Sequence, residues 1–124
     1  MAEQLSGKGR LHTDVLIPTC NRPTALAATL ATLIGQTCRE FDLIVADQSD
    51  GEPAFHTGET RAIARLLRAR GHAVSLLRNL PKRGMAQQRQ FLLDQSRAPL
   101  VLFLDDDDAP RVLLREEEVD GHVA

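Results

Sequence analysis

The sequence predicts an α/β fold in which a mostly parallel sheet lies between two layers of helices. Short aliphatic runs alternate with longer segments whose apolar residues recur at helical spacing, and turn residues separate the two kinds of segment. Strands that alternate with helices in this way are joined by right-handed crossovers, which makes neighbouring strands parallel. The 124 residues, 43% of them apolar, suit one domain with one core.

Each element follows from a local pattern. The predicted strands are 15–17, an unbroken aliphatic run ended by Pro18, and 41–46, 73–77 and 100–104, which are also mainly apolar. Such a run fits a strand buried on both faces. The predicted helices occupy 23–34, 58–70 and 84–96. The first starts at Pro23, which suits a first turn, and ends at Gly35, while Gly71 ends the second. Residues 78–83 are expected to form a polar loop.

The sequence predicts one domain with a tail at each end. Residues 1–12 form the expected flexible tail, 13–108 the α/β domain, and 109–124 a polar C-terminal tail. The longest uninterrupted apolar run, at 100–104, is too short to cross a bilayer as a helix. An uncovered sheet edge after the fourth strand favours a homo-oligomer or a larger partner chain.

Charge and cysteine content narrow the class of protein. The 15 basic and 17 acidic residues nearly cancel, so the chain as a whole has no attraction for nucleic acid. Cys20 and Cys38 are too few for a disulfide framework, and no zinc-ligand spacing surrounds them. Reduced thiols and a cytoplasmic location are therefore expected. The four histidines are scattered, and no role is assigned to them.

Candidate ligand-binding residues follow three of the four predicted strands. Residues 18–22 follow the first strand, Asp47 and Asp50 the second, and the four aspartates 105–108 the fourth. Ligands bind beyond the carboxyl ends of parallel strands, so these segments are expected to line one crevice. Neighbouring carboxylates about 4 Å apart repel by roughly 1 kcal/mol in water. Oxygen ligands of this kind suit Mg²⁺ or Mn²⁺ bound to a diphosphate, whereas the alternative is a solvated acidic loop.

The basic residues in and before the third predicted helix could either be solvated or contact acidic groups of a ligand site. Arg89 falls within the apolar stripe formed by Met85, Leu92 and Leu93. Its stem could lie along apolar surface with the guanidinium in water, or the guanidinium could pair with a pocket aspartate or a ligand phosphate. For the basic residues before this helix a solvated loop is favoured over an anion site; they are Arg78, Lys82 and Arg83.

These segments together resemble the family-2 inverting glycosyltransferases, which have the GT-A fold with its Rossmann-like sheet. Residues 15–22 resemble the opening strand of that family and its Pro-Thr-x-Asn-Arg turn, and 43–51 resemble its second strand with a base-binding aspartate. Asn79, Gly84 and Arg89 match a loop and helix pattern, and 100–108 resemble the Asp-x-Asp signature. The matches occur in the expected order, which is more specific than any one motif.

The resemblance implies a donor site for a nucleotide-diphosphate sugar, with a UDP-sugar expected, and a bound Mn²⁺ or Mg²⁺. In that site Asp47 would hold the base, Asp105 would contact the ribose or the sugar, and Asp107 would ligate the metal. Asp106 is the alternative ligand, because the register of the signature can shift by one within four aspartates. The residues implied in nucleotide binding are Pro18, Thr19, Asn21, Arg22, Asp47, Gly84, Arg89, Asp105 and Asp106.

Family members continue beyond the signature with a segment that supplies the acceptor surface and the catalytic base. Only 109–124 follow it here, so no catalytic residue is assigned and a truncated glycosyltransferase is expected. One alternative is a nucleotide-binding module without turnover. A second is an aspartate-based phosphohydrolase, which is disfavoured because the haloacid-dehalogenase pattern places its acidic strand first and has Thr or Val where this chain has Ala109.

Overall fold

The structure, a computed structural model, describes residues 12–35, 40–104 and 111–114, the last four as backbone only. Its elements are β1 (Thr13–Thr19), α1 (Pro23–Ile34), β2 (Phe41–Asp47), a 3₁₀ turn (Ala54–His56), α2 (Gly58–Ala69), β3 (Val74–Arg78), α3 (Met85–Gln95), β4 (Leu100–Phe103) and β5 (Arg111–Leu114). No helix in these ranges is long and apolar enough to cross a membrane.

The strands form one sheet in the order β3-β2-β1-β4-β5. The first four strands in this order are parallel, and β5 pairs antiparallel with β4. The chain moves from β1 outward to β3 and then returns past β1 to β4. Ligands of open α/β sheets bind where the strand order reverses in this way, which here is between β1 and β4.

The reversal also explains why helices cover both faces. Right-handed crossovers place α1 and α2 on one face, and the return to β4 places α3 on the other. Leu26 and Leu30 of α1 and Leu67 of α2 are buried against one side of the sheet, and Leu92 of α3 is buried against the other beside Phe103. The predicted three-layer α/β fold is therefore confirmed.

Local signals account for the helix ends. Pro23 opens α1, and Gly35 follows its last residue. In α2 the Thr57 side chain accepts a hydrogen bond from the Thr60 amide at 3.2 Å, a cap that contributes about 1 kcal/mol. The acidic first turn of α2, at Glu59, suits the positive end of its dipole.

Pro18 does not end β1, contrary to the prediction. The β1–β2 register continues to Thr19 opposite Asp47, whereas the β1–β4 register stops at Leu16 opposite Phe103. Leu16 accepts the last bond of that ladder from the Leu104 amide at 3.0 Å. Alternate strand residues direct their backbone groups to opposite neighbours, so Pro18 faces the β4 side, where it has no N–H to donate. The β1–β4 ladder ends here, at the reversal of strand order.

Two further predictions differ from the structure. Residues 111–114, predicted as part of a polar tail, form β5, and they cover the edge of β4 that was expected to lie open. The reason for expecting a partner chain at that edge is thereby removed, while the domain bounds stay a prediction. Met85, predicted to belong to the apolar stripe of α3, is 53% exposed because it starts the helix at the edge of the sheet.

Candidate functional site

The turn after β1 is attached to the loop after β2 through Asn21. Asn21 has φ 57°, a left-handed conformation that asparagine tolerates better than most residues. Its backbone N–H donates to Ser49 Oγ at 2.8 Å, and its side-chain oxygen accepts from the Asp50 amide at 3.1 Å. Its side-chain nitrogen also donates to Asp50 Oδ2 at 3.3 Å. These three hydrogen bonds therefore hold the two loops together at the carboxyl edge of the sheet.

Asp47, the predicted base-binding residue, is 0% exposed at the end of β2. Its carboxylate accepts from Ser49 Oγ at 2.6 Å and from the Ser49 amide at 3.1 Å, which makes an Asx turn. Arg78 Nε lies 3.4 Å from Asp47 Oδ2, and the Arg78 guanidinium also donates to the carbonyls of Ser49 and Gly51. Arg78 was predicted in a solvated loop; in the structure it is the last residue of β3 and braces this turn.

A network of carboxamides connects α3 to the same edge, and the sequence analysis missed it. Gln88 is 1% exposed, and its Nε2 donates to the carbonyls of Thr19 at 3.2 Å and Ala46 at 3.0 Å. Its Oε1 accepts from Asn79 Nδ2 at 2.8 Å. Only the position of Gln88, four residues before the buried Leu92, signalled that it lies on the inner face of the helix.

Gly84 and Arg89 mark the start of α3 and its approach to β4. Gly84 has φ 97°, a backbone conformation that glycine adopts readily and other residues rarely do. Its carbonyl accepts a hydrogen bond from the Gln88 amide at 3.1 Å. The Arg89 guanidinium carbon lies 5.3 Å from the ring centroid of Phe103, which is a cation–π distance. Arg89 therefore lies beside the strand that leads directly into the aspartates.

The structure brings the predicted residues of three segments to one edge. Pro18 and Thr19 are buried at the end of β1, Arg22 is exposed immediately before α1, and Lys82 and Arg83 are exposed before α3. A cavity of about 330 Å³ lies beside the Asn21 turn and is lined by Asn21, Pro23, Ser49, Gly51, Glu52, Pro53, Ala54, His56 and Thr57. The aspartates lie outside the described residues; they are Asp105, Asp106, Asp107 and Asp108.

A different group of side chains, which could hold a metal ion, lies at the opposite edge of the sheet. His12 Nε2 is 3.0 Å from Asp42 Oδ2 and 3.6 Å from Asp14 Oδ1, at the amino ends of β1 and β2. Ser96 Oγ donates to Asp14 at 2.5 Å. The length of β1 separates this group from Thr19 by about 20 Å, so it is not the predicted metal site.

Comparison with known proteins agrees with the fold and with the resemblance to the family. The model of Glycosyl transferase family 2 matches residues 14–113. A protein from Haemophilus influenzae, described as an uncharacterized glycosyltransferase, is 29% identical over 95 residues, which are 77% of this chain and 29% of that protein. The chain thus spans less than a third of this relative's length.

Two solved structures share the fold. The mannosyltransferase PcManGT from Pyrobaculum calidifontis, in complex with GDP-Man and Mn²⁺, superposes with a TM-score of 0.60 at 22% identity, over 79% of this chain and 28% of that one. Residues 1–349 of TarS from S. aureus superpose with a TM-score of 0.62 at 22% identity, over 91% of this chain and 32% of that one. Since the family model covers most of its length, this chain belongs to glycosyl transferase family 2.

Proposed function

We propose that the chain binds the donor of a glycosyl transfer, a nucleotide-diphosphate sugar, together with Mn²⁺ or Mg²⁺. The observation that carries the proposal is that the ends of β1, β2 and β4 lie side by side, with Asn21 and Asp47 at this edge and the aspartates immediately after it. This is the edge at which open α/β sheets bind ligands. The PcManGT complex with GDP-Man and Mn²⁺ supports the class of ligand.

The described residues suit different parts of such a donor. The amino end of α3, at Gly84, offers backbone N–H groups and a positive dipole end to a diphosphate. Thr19 at the end of β1 and Asn21 and Arg22 in the turn after it would frame the nucleotide, beside Pro18, which offers no N–H toward β4. Arg89, next to Phe103, would face the group that the aspartates bind.

Asp47 would hold the base by exchanging one of its present partners. Its two bonds to Ser49, at 2.6 and 3.1 Å, are buried, whereas Arg78 Nε is 3.4 Å away and the Arg78 side chain is 32% exposed. Arg78 is therefore the contact that a base N–H would replace, because it is the longest of the three and an ion pair with a partly exposed guanidinium contributes little. The two Ser49 bonds would then keep the carboxylate in place.

The metal would be held by the aspartates after β4, with Asp107 as ligand, Asp106 as the alternative, and Asp105 on the ribose or the sugar. Carboxylate oxygens suit Mg²⁺ and Mn²⁺, and the reversal between β1 and β4 lies directly before them. When bound, such an ion neutralises charge on the departing diphosphate. No described residue is assigned as the base that activates an acceptor, so the proposal concerns donor binding.

Calorimetric titration with UDP and with GDP, each with and without Mn²⁺, tests the proposal. We expect UDP to bind in the presence of Mn²⁺ and the combined Asp105→Ala and Asp107→Ala variant to lose at least about tenfold in affinity, or roughly 1.4 kcal/mol. Asp94→Ala, which removes an exposed carboxylate from α3, is the matched control and should leave the affinity unchanged. Tighter binding of GDP would replace the UDP assignment, and the absence of binding by either nucleotide would refute the proposal.

Release of sugar from the donor separates two forms of the proposal. A donor domain able to turn over hydrolyses UDP-sugar slowly to free sugar and UDP, whereas a binding module without turnover shows affinity and no release. The cytoplasmic location expected from the two cysteines stays a prediction.

A further inference from the structure

Gln88 makes contacts that neither the family assignment nor the proposed donor site explains. It lies on α3, whose other glutamines Gln87, Gln90 and Gln95 are half-buried or exposed, yet Gln88 is 1% exposed. A buried carboxamide is costly unless each of its polar atoms has a hydrogen-bond partner. Its two donors and its acceptor oxygen all have partners in the structure.

The three partners of Gln88 belong to three different segments. Nε2 donates to the Thr19 carbonyl at the end of β1 and to the Ala46 carbonyl near the end of β2, and Oε1 accepts from Asn79 in the loop after β3. One side chain of α3 thus connects the helix to the ends of the three neighbouring parallel strands β1, β2 and β3. The distances, 2.8–3.2 Å, are those of ordinary hydrogen bonds.

Backbone and side-chain bonds extend this connection across the edge. The Gln48 amide donates to Thr19 O at 3.0 Å, and the Asn79 amide donates to Asp47 O at 2.9 Å. Gln87 Oε1 accepts from Asn79 Nδ2 at 2.9 Å and from Gln48 Nε2 at 3.4 Å. Thr19 O therefore accepts from both the Gln48 amide, directly after β2, and Gln88 Nε2, so a shift of Gln88 would move both strand ends.

We infer that Gln88 is a positioning residue of the nucleotide site: its carboxamide fixes the spacing between the ends of β1 and β2 and holds the Asn79 loop against them. The inference rests on the proposed function, because the segments it fixes carry Asn21 and Asp47. Gln88 itself is too buried to contact a ligand. A site that must hold a ligand in one geometry depends on such supporting bonds behind the residues that touch it.

Replacements of Gln88 with matched replacements of Gln90 test this inference. Gln88→Met keeps the length of the side chain and removes all three hydrogen bonds, and Gln88→Glu places a carboxylate oxygen against two carbonyls. Gln90 is exposed on the same helix and bonds only to Asp94 among the described residues, so Gln90→Met and Gln90→Glu are controls for helix α3. Asn79→Ala, which removes one partner from the loop, serves if Gln88→Met fails to fold.

Two measurements on each folded variant test whether Gln88 positions the strand ends. Hydrogen exchange of the Gln48 and Asn79 amides reports the strand ends directly, with the Leu30 amide in α1 as a remote reference. We expect Gln88→Met to accelerate exchange at Gln48 and Asn79 at least about tenfold relative to Leu30, with a smaller change in the Gln90 variants. Exchange that accelerates equally at all three amides, or at none of them, overturns the inference.

The second measurement is UDP affinity with Mn²⁺, at a temperature at which each variant is fully folded. Under that condition a loss of global stability alone leaves the dissociation constant unchanged, so a rise of about tenfold or more in Gln88→Met with Gln90→Met unaffected supports positioning. An unchanged dissociation constant in Gln88→Met overturns it. If the wild type binds neither UDP nor GDP, the proposed function fails, and the exchange comparison still decides whether Gln88 fixes the strand ends.

Discussion

Replacing Asp47 measures how much its buried hydrogen bonds stabilise the chain, independently of its proposed role in holding a base. Asp47→Ala removes the acceptor for the Ser49 amide and for Ser49 Oγ, both of which are buried. Each buried donor left without a partner costs about 1–3 kcal/mol. Ser49 Oγ still accepts a hydrogen bond from the Asn21 amide, so the cost of removing its acceptor on Asp47 falls at the low end of that range.

The magnitude follows from these contacts. Two lost acceptors give about 2–4 kcal/mol of destabilisation for Asp47→Ala. The ion pair with Arg78 adds less than about 1 kcal/mol, because the Arg78 side chain is 32% exposed and keeps its bonds to backbone carbonyls. Asp47→Asn retains one acceptor oxygen and the shape of the side chain, so we expect about 1–2 kcal/mol.

Urea unfolding monitored by circular dichroism measures both variants, with Asp50→Ala as the control. Asp50 is exposed, and its carboxylate accepts only the 3.3 Å bond from Asn21 among the described residues, so its loss should cost under about 1 kcal/mol. Asp47→Ala within about 0.5 kcal/mol of the wild type would show that the Ser49 bonds contribute little, and the argument from burial would be refuted.

Two further predictions concern a glycine with a positive φ and a buried histidine. Gly84→Ala should destabilise the chain by about 1–2 kcal/mol because φ is 97°, whereas Gly35→Ala, at φ −83° with open space around it, should cost less than about 0.5 kcal/mol; thermal unfolding of both compares them. His72→Ala should cost about 2 kcal/mol, because it removes a ring stacked 4.0 Å from Phe41 and a 2.6 Å bond to the Phe41 carbonyl. His56→Ala, at a side chain 52% exposed, should change urea stability little, and equal effects of the two histidine replacements would contradict the contact argument.

Much of the fold could be predicted because apolar runs are strong local signals. Runs such as 43–45 form strands buried on both faces, and the spacing of Leu26, Leu30 and Leu33 gives α1 its buried side. The strand order could not be predicted, since periodicity reports which face is buried and not which strand lies alongside. The short strand β5 was missed because the acidic residues before it and the charged residues after it make the segment polar on average.

The site was predicted at the level of segments and less well at the level of contacts. The carboxyl ends of β1 and β2 meet as predicted, because parallel strands must end at the same edge. The partners of Asp47 and the burial of Gln88 were not predicted, since polar residues on helices and loops usually face water. Arg78 shows the same limit: its sequence neighbours indicate a loop, and its position opposite Asp47 follows only from the register of β2 with β3.

The two edges of the sheet differ in how they depart from local preferences. At the amino edge, His12 Nε2 is hydrogen-bonded to Asp42 Oδ2 at 3.0 Å and lies 3.6 Å from Asp14 Oδ1, and none of these three residues has a positive φ. At the carboxyl edge, a proline sits inside a central strand, an asparagine is left-handed, and an amide is buried in a helix: Pro18, Asn21 and Gln88. Stability alone favours none of these features, and local rules are broken most often where a site must be shaped. These departures act on the two sides of β1: Pro18 offers no N–H toward β4, where the described register ends at Leu16 opposite Phe103, while Asn21 and Gln88 hold the end of β1 to the end of β2 and the loop after it.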